Sequence, residues 1–205
     1  MAFIPLTIDA ARLCDSLSRA GYTPSETIVS VIENAVAANA KDITAIIASK
    51  SDNSGEVHEY LVIDDGIGMN QPGIRNALIL GSVSPQEAAE TVPRAGFGLK
   101  YAAFSQGDTL EVLSSSMGFP FLKYRVALDE VRIRGIYGTE QIDLTCEDEA
   151  LIQEYLHEGQ GTIVRITQIR QSNRVSIKAT IEEVHRQIGD LYSLDYQAHI
   201  QVLSQ

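Results

Sequence analysis

The order of strand-like and helix-like segments constrains the fold of this chain more than any other feature of its sequence. Helical patterns stand before and between the strand-like segments without strict βαβ alternation, and several of the later segments are joined by short connections. This order predicts an α+β fold, a two-layer sandwich in which helices pack on one face of a mixed, mainly antiparallel sheet. The strand-like segments are residues 43–48, 59–64, 109–115, 121–129, 137–145 and 161–169.

The best-marked helix begins in the stretch Thr-Pro-Ser-Glu. Thr23 suits the N-cap, Pro24 the first helical position, and Glu26 can close a capping box, so we expect a helix from Pro24 to about Ala40. Its predicted core stripe consists of Ile28, Ile32, Ala35 and Asn39, while Ser30 and Asn34 are one turn apart on nearly the opposite side. Further helices are predicted over residues 72–80, 98–106, 148–157 and 178–192.

The composition is that of a folded globular chain. With 205 residues and 44% hydrophobic content, we expect one domain over residues 1–205. The chain has no long apolar run and no signal-peptide pattern, which predicts a cytoplasmic protein without membrane contact. A net charge of −11 argues against direct nucleic-acid binding by this domain. Cys14 and Cys146 lack metal-ligand spacing and are interpreted as ordinary thiols.

The stretch IDDGIGM follows a predicted strand directly. Asp64 at the strand end can point its carboxylate out of the sheet edge, and Gly66 and Gly68 let the backbone turn tightly and approach a ligand. A carboxylate beside bare backbone suits adenine, whose exocyclic amine is a hydrogen-bond donor. An ordinary Asp-Gly turn is the alternative interpretation, and Met69 is the next residue of the motif.

A second glycine pair opens the helix in RAGFGLKYAAF. Gly96 and Gly98 precede unpaired, positively polarised amides at about Leu99 and Lys100, and such a helix start attracts phosphate. The stretch is neither a P-loop nor the dinucleotide pattern G-x-G-x-x-G, because Tyr101 occupies the last position. A glycine pair that serves helix packing is the alternative.

Two further polar residues are candidates for ligand contact. The amide oxygen of Asn34 can coordinate a hard cation, and Mg²⁺ bound together with phosphates needs only one or two protein oxygens. The alternative for Asn34 is a buried amide bonded to backbone. Thr162, after Gly161 at the start of a strand, can offer a hydroxyl near a base, although a threonine at this position often has no special role.

Taken in order, these motifs resemble the GHKL family of ATP-binding domains, the Bergerat fold of gyrase B subunits, ninety-kilodalton heat-shock chaperones, histidine kinases and MutL proteins. The order is a helix with Glu-Asn-Ala, a strand ending in D-x-G-x-G, a variable segment, G-x-G at a helix start, and Gly-Thr. The resemblance covers residues 25–167 and looks closest to the microrchidia-like, chaperone-like and MutL-like bacterial branch.

The resemblance implies a role for each motif. By similarity, Asn34 holds Mg²⁺, Asp64 binds the adenine amine, Thr162 supports the adenine end, and residues 70–95 form an ATP lid. The resemblance also implies that ATP and Mg²⁺ are the ligands. The remaining expected contacts are Gly66, Gly68 and Met69 around adenine, and Gly96, Phe97, Gly98, Leu99 and Lys100 around the phosphates.

The expected catalytic base is missing. Hydrolysing members of the family carry a glutamate four residues before the asparagine, where this chain has Ser30, and a hydroxyl without a neighbouring base is a poor general base. Glu33 and Glu26 are candidate substitutes, although Glu33 projects about 100° away from Asn34 around the helix and Glu26 suits a capping box. We therefore expect an ATP-gated conformational or dimerisation switch, with hydrolysis slow or absent.

Two other functions stay open at this point. One is a protein kinase of the histidine-kinase or anti-sigma type that acts on a separate partner, and the other is a scaffold with a decayed site. The resemblance also implies a homodimer or a larger multidomain assembly. Related ATPases receive a lysine from a following transducer domain, and no lysine follows Lys178, so we expect the chain to be the N-terminal part of a longer protein or a stand-alone binder.

Overall fold

One mixed sheet organises the protein. The computed structural model describes residues 4, 6–19, 21–50, 56–82, 98–170, 176–191 and 198–204. Within these ranges seven strands lie in the order β5-β4-β3-β6-β2-β1-β7, with all neighbours antiparallel except β1 and β7, which are parallel. The strands are β1 Asp42–Ser49, β2 Val57–Asp64, β3 Gly107–Ser115, β4 Leu122–Ala127, β5 Glu140–Ile142, β6 Gly161–Ile169 and β7 His199–Ser204.

Helices cover the sheet unequally on its two faces. Side chains that alternate with period two, such as Ile43 and Val62, join the larger core with most of the helices, while Ile46 and Leu61 point to the other face. On that second face, Ile152 of α6 and Leu156, the residue directly after the helix, join a smaller apolar cluster. The helices in the described ranges are α1 Ala10–Leu17, α2 Pro24–Ala37, α3 Gln71–Leu78, α4 Gly98–Gln106, α5 Leu128–Arg134, α6 Cys146–Tyr155 and α7 Ile177–Leu191.

This architecture confirms the predicted α+β sandwich and its mainly antiparallel sheet. The helical layer lies on one face, as expected, and α6 is the addition that the sequence did not predict on the other face. The capping box of α2 is also confirmed, since Thr23 accepts from the amide of Glu26 and the Glu26 carboxylate accepts from the amide of Thr23. The helix ends at Ala37, earlier than predicted. Asn39 therefore lies outside the core stripe, with a left-handed φ of 59°.

The differences from the predicted elements have local causes. The strand predicted over residues 121–129 ends at Ala127, because Leu128 turns into the core as the first residue of α5. The next predicted strand shortens to β5, which pairs only with β4. Helix α1 was not predicted. Its buried positions, Ala10, Cys14 and Leu17, give only a short apolar stripe.

The predicted lid of residues 70–95 begins with a fixed helix. Ile74 and Leu78 of α3 are buried, and Gln71 donates to the hydroxyl of Tyr124 at 2.8 Å. The first part of the predicted lid is thus a helix packed against the core. Residues 83–95 lie outside the described ranges. Among the helices that the structure describes, none is long and apolar enough to cross a membrane.

Candidate functional site

Helix α2 connects the two glycine motifs. The residues of α2 that are not buried follow one side of the helix and include Ser30 and Asn34. A Cβ atom added to Gly98 would lie 3.8 Å from Ser30 Oγ, so the start of α4 lies beside Ser30. Two turns further along α2, the carbonyl of Ala38 accepts from the amide of Ile67 at 2.9 Å. The row of Ser30, Asn34 and Ala38 therefore runs from the start of α4 to the Asp-Gly turn, over about 12 Å.

Helices α2 and α4 run antiparallel along this row. Thr27 donates to the carbonyl of Ala102 at 3.2 Å, one turn before Ser30 meets Gly98. The first four amides of an α-helix have no partner within the helix, so the N-terminal turn of α4 can donate to an anion beyond Gly98. Asn34 lies one turn of α2 past Ser30, and so about 6 Å further along the row than the residue that contacts the start of α4.

The amide group of Asn34 is oriented by its own helix. Its Nδ2 donates to the carbonyl of Ser30 at 2.9 Å, and the side chain is exposed. Because the nitrogen is already bonded, the oxygen Oδ1 is the atom that remains to meet a ligand. The bond to a backbone carbonyl agrees with the alternative interpretation of Asn34, but the side chain is exposed and not buried, and its oxygen is of the type that Mg²⁺ prefers.

Asp64 lies at the other end of the row, at the end of β2. It is only 6% exposed, and its Oδ1 accepts from the amide of Gly66 at 3.0 Å. Within the described part of the chain, Oδ2 has no hydrogen-bond partner. Burial raises the pKa of Asp64 to about 7, the Gly66 amide lowers it, and the neighbouring charge of Asp65 raises it. A donor group of a ligand would relieve this unfavourable burial.

The two glycines of the Asp-Gly turn are required by packing. A Cβ atom on Gly66 would lie 2.8 Å from the Ala38 carbonyl and 2.8 Å from Asp64 Oδ1. Gly68 has a φ of 61°, and a Cβ atom there would collide with the backbone of Ser115. The glycines thus press the turn against α2 and β3, which keeps the Asp64 carboxylate at a fixed place beside bare backbone.

Three buried polar residues, Asp64, Thr162 and Ser114, lie side by side on neighbouring strands of the sheet. Thr162 is the cross-strand partner of both Asp64 on β2 and Ser114 on β3, and its hydroxyl lies 2.9 Å from that of Ser114. Ser114 also accepts from the amide of Met69 at 2.8 Å. Sequence reasoning missed Ser114. Its signal is a polar side chain in register with the core positions Leu110 and Val112.

The second aspartate of the motif has a different task. Asp65 Oδ1 accepts from the amides of Lys41 at 2.6 Å and Asp42 at 2.9 Å, and so ties the end of β2 to the start of β1. Sequence reasoning did not assign this role. In the pair Asp64-Asp65, the first carboxylate therefore faces the site and the second holds the strand ends together.

Lys100 is placed at the site but directed away from solvent. It is 3% exposed in the first turn of α4, and its Nζ donates to the carbonyl of Ala77 at 2.8 Å, near the end of α3. Its backbone amide lies in the first turn of α4, as does that of Leu99, whose side chain packs against the core. The side chain of Lys100 thus links α3 to α4.

The remaining predicted site residues are only partly brought together. Glu26 is exposed and its carboxylate is engaged by the backbone amide and hydroxyl of Thr23, which favours the capping interpretation. Glu33 is partly exposed on α2 next to Asn34. Gly96 and Phe97 lie outside the described residues. No group of three histidine, cysteine or acidic side chains suitable for a metal occurs in the described ranges, so a cation here would rely on Asn34 and on oxygens of the ligand.

The hydrogen-bonding groups of the site fit a nucleotide. Acceptors line one end, the amides of a helix start lie at the other, and an amide oxygen stands between them. Buried acceptors at a strand end suit the exocyclic amine of a purine, and a helix start suits phosphate. The fold and the site together define a nucleotide-binding α+β domain.

The comparison with protein families agrees with this class. The model described as histidine kinase-, DNA gyrase B- and HSP90-like ATPase matches residues 22–162, more than half of the chain, and the protein belongs to that family. Membership supports ATP as the ligand. The predicted microrchidia-like branch is finer than this match and stays a prediction. A comparison with curated proteins found no significant match.

Proposed function

We propose that this domain is an ATP-gated conformational or dimerisation switch that binds ATP with Mg²⁺ and hydrolyses it slowly or not at all. One observation carries the proposal: α2 joins the N-terminal turn of α4, beside Ser30, to the buried carboxylate of Asp64, with the oriented amide of Asn34 between them. The adenine amine would donate to Asp64, and the phosphates would accept from the first amides of α4.

Lys100 supports the switch part of the proposal. Its ammonium bonds the end of α3 at Ala77, and its backbone lies in the turn of α4 that would receive the phosphates. The predicted lid continues from α3. A phosphate at the start of α4 therefore acts next to the contact that holds α3, which gives nucleotide a physical route to the lid.

Asn34 is the proposed Mg²⁺ ligand. Its Oδ1 is the atom of the amide left for a ligand, since Nδ2 is bonded to Ser30. The ion would neutralise the negative charge of the phosphates. A chain with a net charge of −11 has few cationic side chains of its own for this purpose.

The hydrolytic part of the proposal depends on Ser30. No general base stands at this position, and the carboxylate of Glu26 is occupied by its capping box. Glu33 is adjacent to Asn34 but projects to another side of the helix. Binding is therefore the expected output of the site, with turnover as a minor event.

Calorimetric titration tests the binding. We expect the domain to bind ATP in the presence of Mg²⁺, and Asn34→Ala to weaken Mg²⁺-dependent binding at least tenfold, roughly the value of one charge-assisted contact. Binding without Mg²⁺ should change little. Glu33→Gln is the matched control on the same helix turn. Absence of ATP binding by the wild-type domain would overturn the proposal.

Restoring a carboxylate at position 30 tests the hydrolytic assignment. We expect Ser30→Glu to raise the rate of phosphate release about 100-fold or more, the range of a positioned general base. Ser30→Gln has the same size without the carboxylate and should not change the rate. If both variants bind ATP normally and neither hydrolyses it, Ser30 does not occupy the position of the missing base. Rapid turnover by the wild-type domain would contradict slow hydrolysis.

A further inference from the structure

A chain of buried hydrogen bonds joins the first part of α2 to α4. Gln106 Nε2 donates to the carbonyl of Tyr22 at 2.6 Å and to Ser105 Oγ at 3.2 Å. Ser105 Oγ donates to the carbonyl of Ala102 at 2.8 Å, and Thr27 Oγ1 donates to the same carbonyl at 3.2 Å. Thr27 and Gln106 are 0% exposed and Ser105 is 5% exposed, so solvent offers little to replace these bonds.

The direction of each bond in this chain is fixed by its partners. A carbonyl only accepts, so Thr27 and Ser105 both give their protons to Ala102, and the Ser105 oxygen accepts from Gln106. Gln106 Oε1 is buried and has no hydrogen-bond partner in the part of the chain that the structure describes. A flipped amide would instead place Oε1 against the Tyr22 carbonyl, acceptor against acceptor. The amide of Gln106 is therefore held by its two donor contacts.

Two of these bonds cross between the segments and set the axial register of the helices. Along the antiparallel helices, three contacts follow one another, namely Tyr22 with Gln106, Thr27 with Ala102, and Ser30 with Gly98. The first lies about 12 Å along α4 from Gly98 and the second about 6 Å. Apolar contacts have no preferred direction, whereas hydrogen bonds do. The two bonds therefore resist sliding of α4 along α2, and the bond of Thr27 is the nearer one to the site.

This register decides where the first amides of α4 lie relative to Asn34. The proposed phosphate donors belong to one helix and the proposed Mg²⁺ ligand belongs to the other. Mg²⁺ requires nearly ideal octahedral geometry at short ligand distances, so it tolerates little displacement of one helix against the other. We infer that Thr27 is a positioning residue for the complex of ATP with Mg²⁺, because it fixes α4 against α2 near the site while Gln106 holds the far end. The inference rests on the proposed function.

The test measures ATP affinity with and without Mg²⁺ by calorimetry. Thr27→Val keeps the shape and removes the hydroxyl, and the variant should fold because the Ala102 carbonyl keeps the donor of Ser105. We expect the gain in ATP affinity from Mg²⁺ to fall about tenfold, the lower end of the range for residues that orient metal ligands. Binding without Mg²⁺ should stay near that of the wild type. Thr27→Ser keeps the donor and should restore the gain.

Thr180→Val is the matched control. Thr180 is also a buried threonine, 4% exposed, but its hydroxyl donates within α7, to the carbonyl of Ser176 at 3.2 Å. Its gain in affinity from Mg²⁺ should equal that of the wild type. If Thr27→Val leaves this gain unchanged, or weakens ATP binding equally in both conditions, Thr27 has only a structural role and the inference is overturned. If the wild-type domain binds no ATP, the proposed function itself fails, and this result is seen before any variant is compared.

A double variant tests whether Thr27 acts through the proposed ion. Asn34→Ala removes the proposed ligand, so adding Thr27→Val to it should cause no further fall in the gain from Mg²⁺. Additive falls would overturn the inference. If Thr27→Val does not fold by circular dichroism, Thr27→Ala takes its place and is compared with Thr27→Ser, from which it differs by the hydroxyl alone. Equal gains from Mg²⁺ in the alanine and serine variants would then contradict the role of the Thr27 hydroxyl.

Discussion

Two buried aspartates lie on opposite sides of the same sheet, and they differ in whether a cation lies beside the carboxylate. Asp148, the third residue of α6, is 1% exposed and lies 2.9 Å from Lys123 Nζ. Asp64, at the end of β2, is 6% exposed and accepts only from the amide of Gly66 in the described part of the chain. Both carboxylates are largely shielded from solvent, but only Asp148 has a cation beside it.

The environment of Asp148 is a continuous ion network between α6 and the sheet. Lys123 also contacts Glu111 at 2.8 Å, and Arg165 lies 3.3 Å from Glu59 and 3.6 Å from Asp148. Asp148 closes a capping box as well, since it accepts from the amide of Thr145. Removing one member would leave buried charges without compensation.

The pKa values of the two aspartates differ because their hydrogen-bond and ion-pair partners differ. Burial raises the pKa of Asp148, but the hydrogen bonds from Thr145 and Lys123 outweigh it, and the net pKa is below the usual range. Burial raises the pKa of Asp64 to about 7, because only the Gly66 amide opposes it. A buried carboxylate that is paired holds the fold together, whereas one left without a cation destabilises the fold and suits the reception of a ligand donor.

The largest change in stability is expected for Asp148→Asn. We expect a loss of about 3 kcal/mol in the free energy of unfolding at pH 7, because Lys123 loses the more deeply buried of its two carboxylate partners and Arg165 loses one of its own. The lowered pKa means that this stabilisation is present above the unfolded pKa and is lost as the pH falls through the folded pKa. Urea unfolding at pH 7 and near pH 3 measures the free energy of unfolding of both proteins, and the difference between them should be smaller at pH 3.

Asp143→Asn supplies the control for this substitution. Asp143 is exposed in the connection before α6, so its change should shift stability by less than about 0.5 kcal/mol. Nucleotide affinity should stay near that of the wild type in both variants, because the network lies on the face away from the proposed site. An Asp148→Asn protein as stable as the wild type would contradict the assignment of the network as structural.

The sequence was sufficient to predict the Asp64 side of this contrast. Asp64 stands at a strand end before two glycines, and a short local pattern of this kind predicts its place at the end of β2, while its contact with adenine stays a prediction. Asn34 and the start of α4 were predicted for the same reason. Ser114 was not, because its partners Met69 and Thr162 come from distant parts of the chain and meet only through strand register.

The ion network could not be predicted from local pattern either. Lys123 and Asp148 are 25 residues apart, and their contact requires α6 to pack on the face opposite the other helices. Charged residues in strands and in first helical turns usually face solvent, so Lys123 and Asp148 gave no signal of burial. Long-range packing decides such pairs, whereas caps and turns are decided within a few residues, as Thr23 and Glu26 show.

The smaller test is Asp64→Asn, for which we expect the opposite sign. A raised pKa means that ionisation opposes folding, so the penalty is absent below the unfolded pKa of about 3.8, grows with pH, and is complete above about 7. Asparagine can keep the acceptor for Gly66 without the charge, so the variant should be more stable by about 2 kcal/mol at pH 8, part of the value implied by the pKa shift. Thermal unfolding at pH 8 and pH 4 measures the gain, which should vanish at pH 4. ATP binding should fall sharply in the same variant, and a protein both less stable at pH 8 and unchanged in ATP affinity would remove the distinction between the two aspartates.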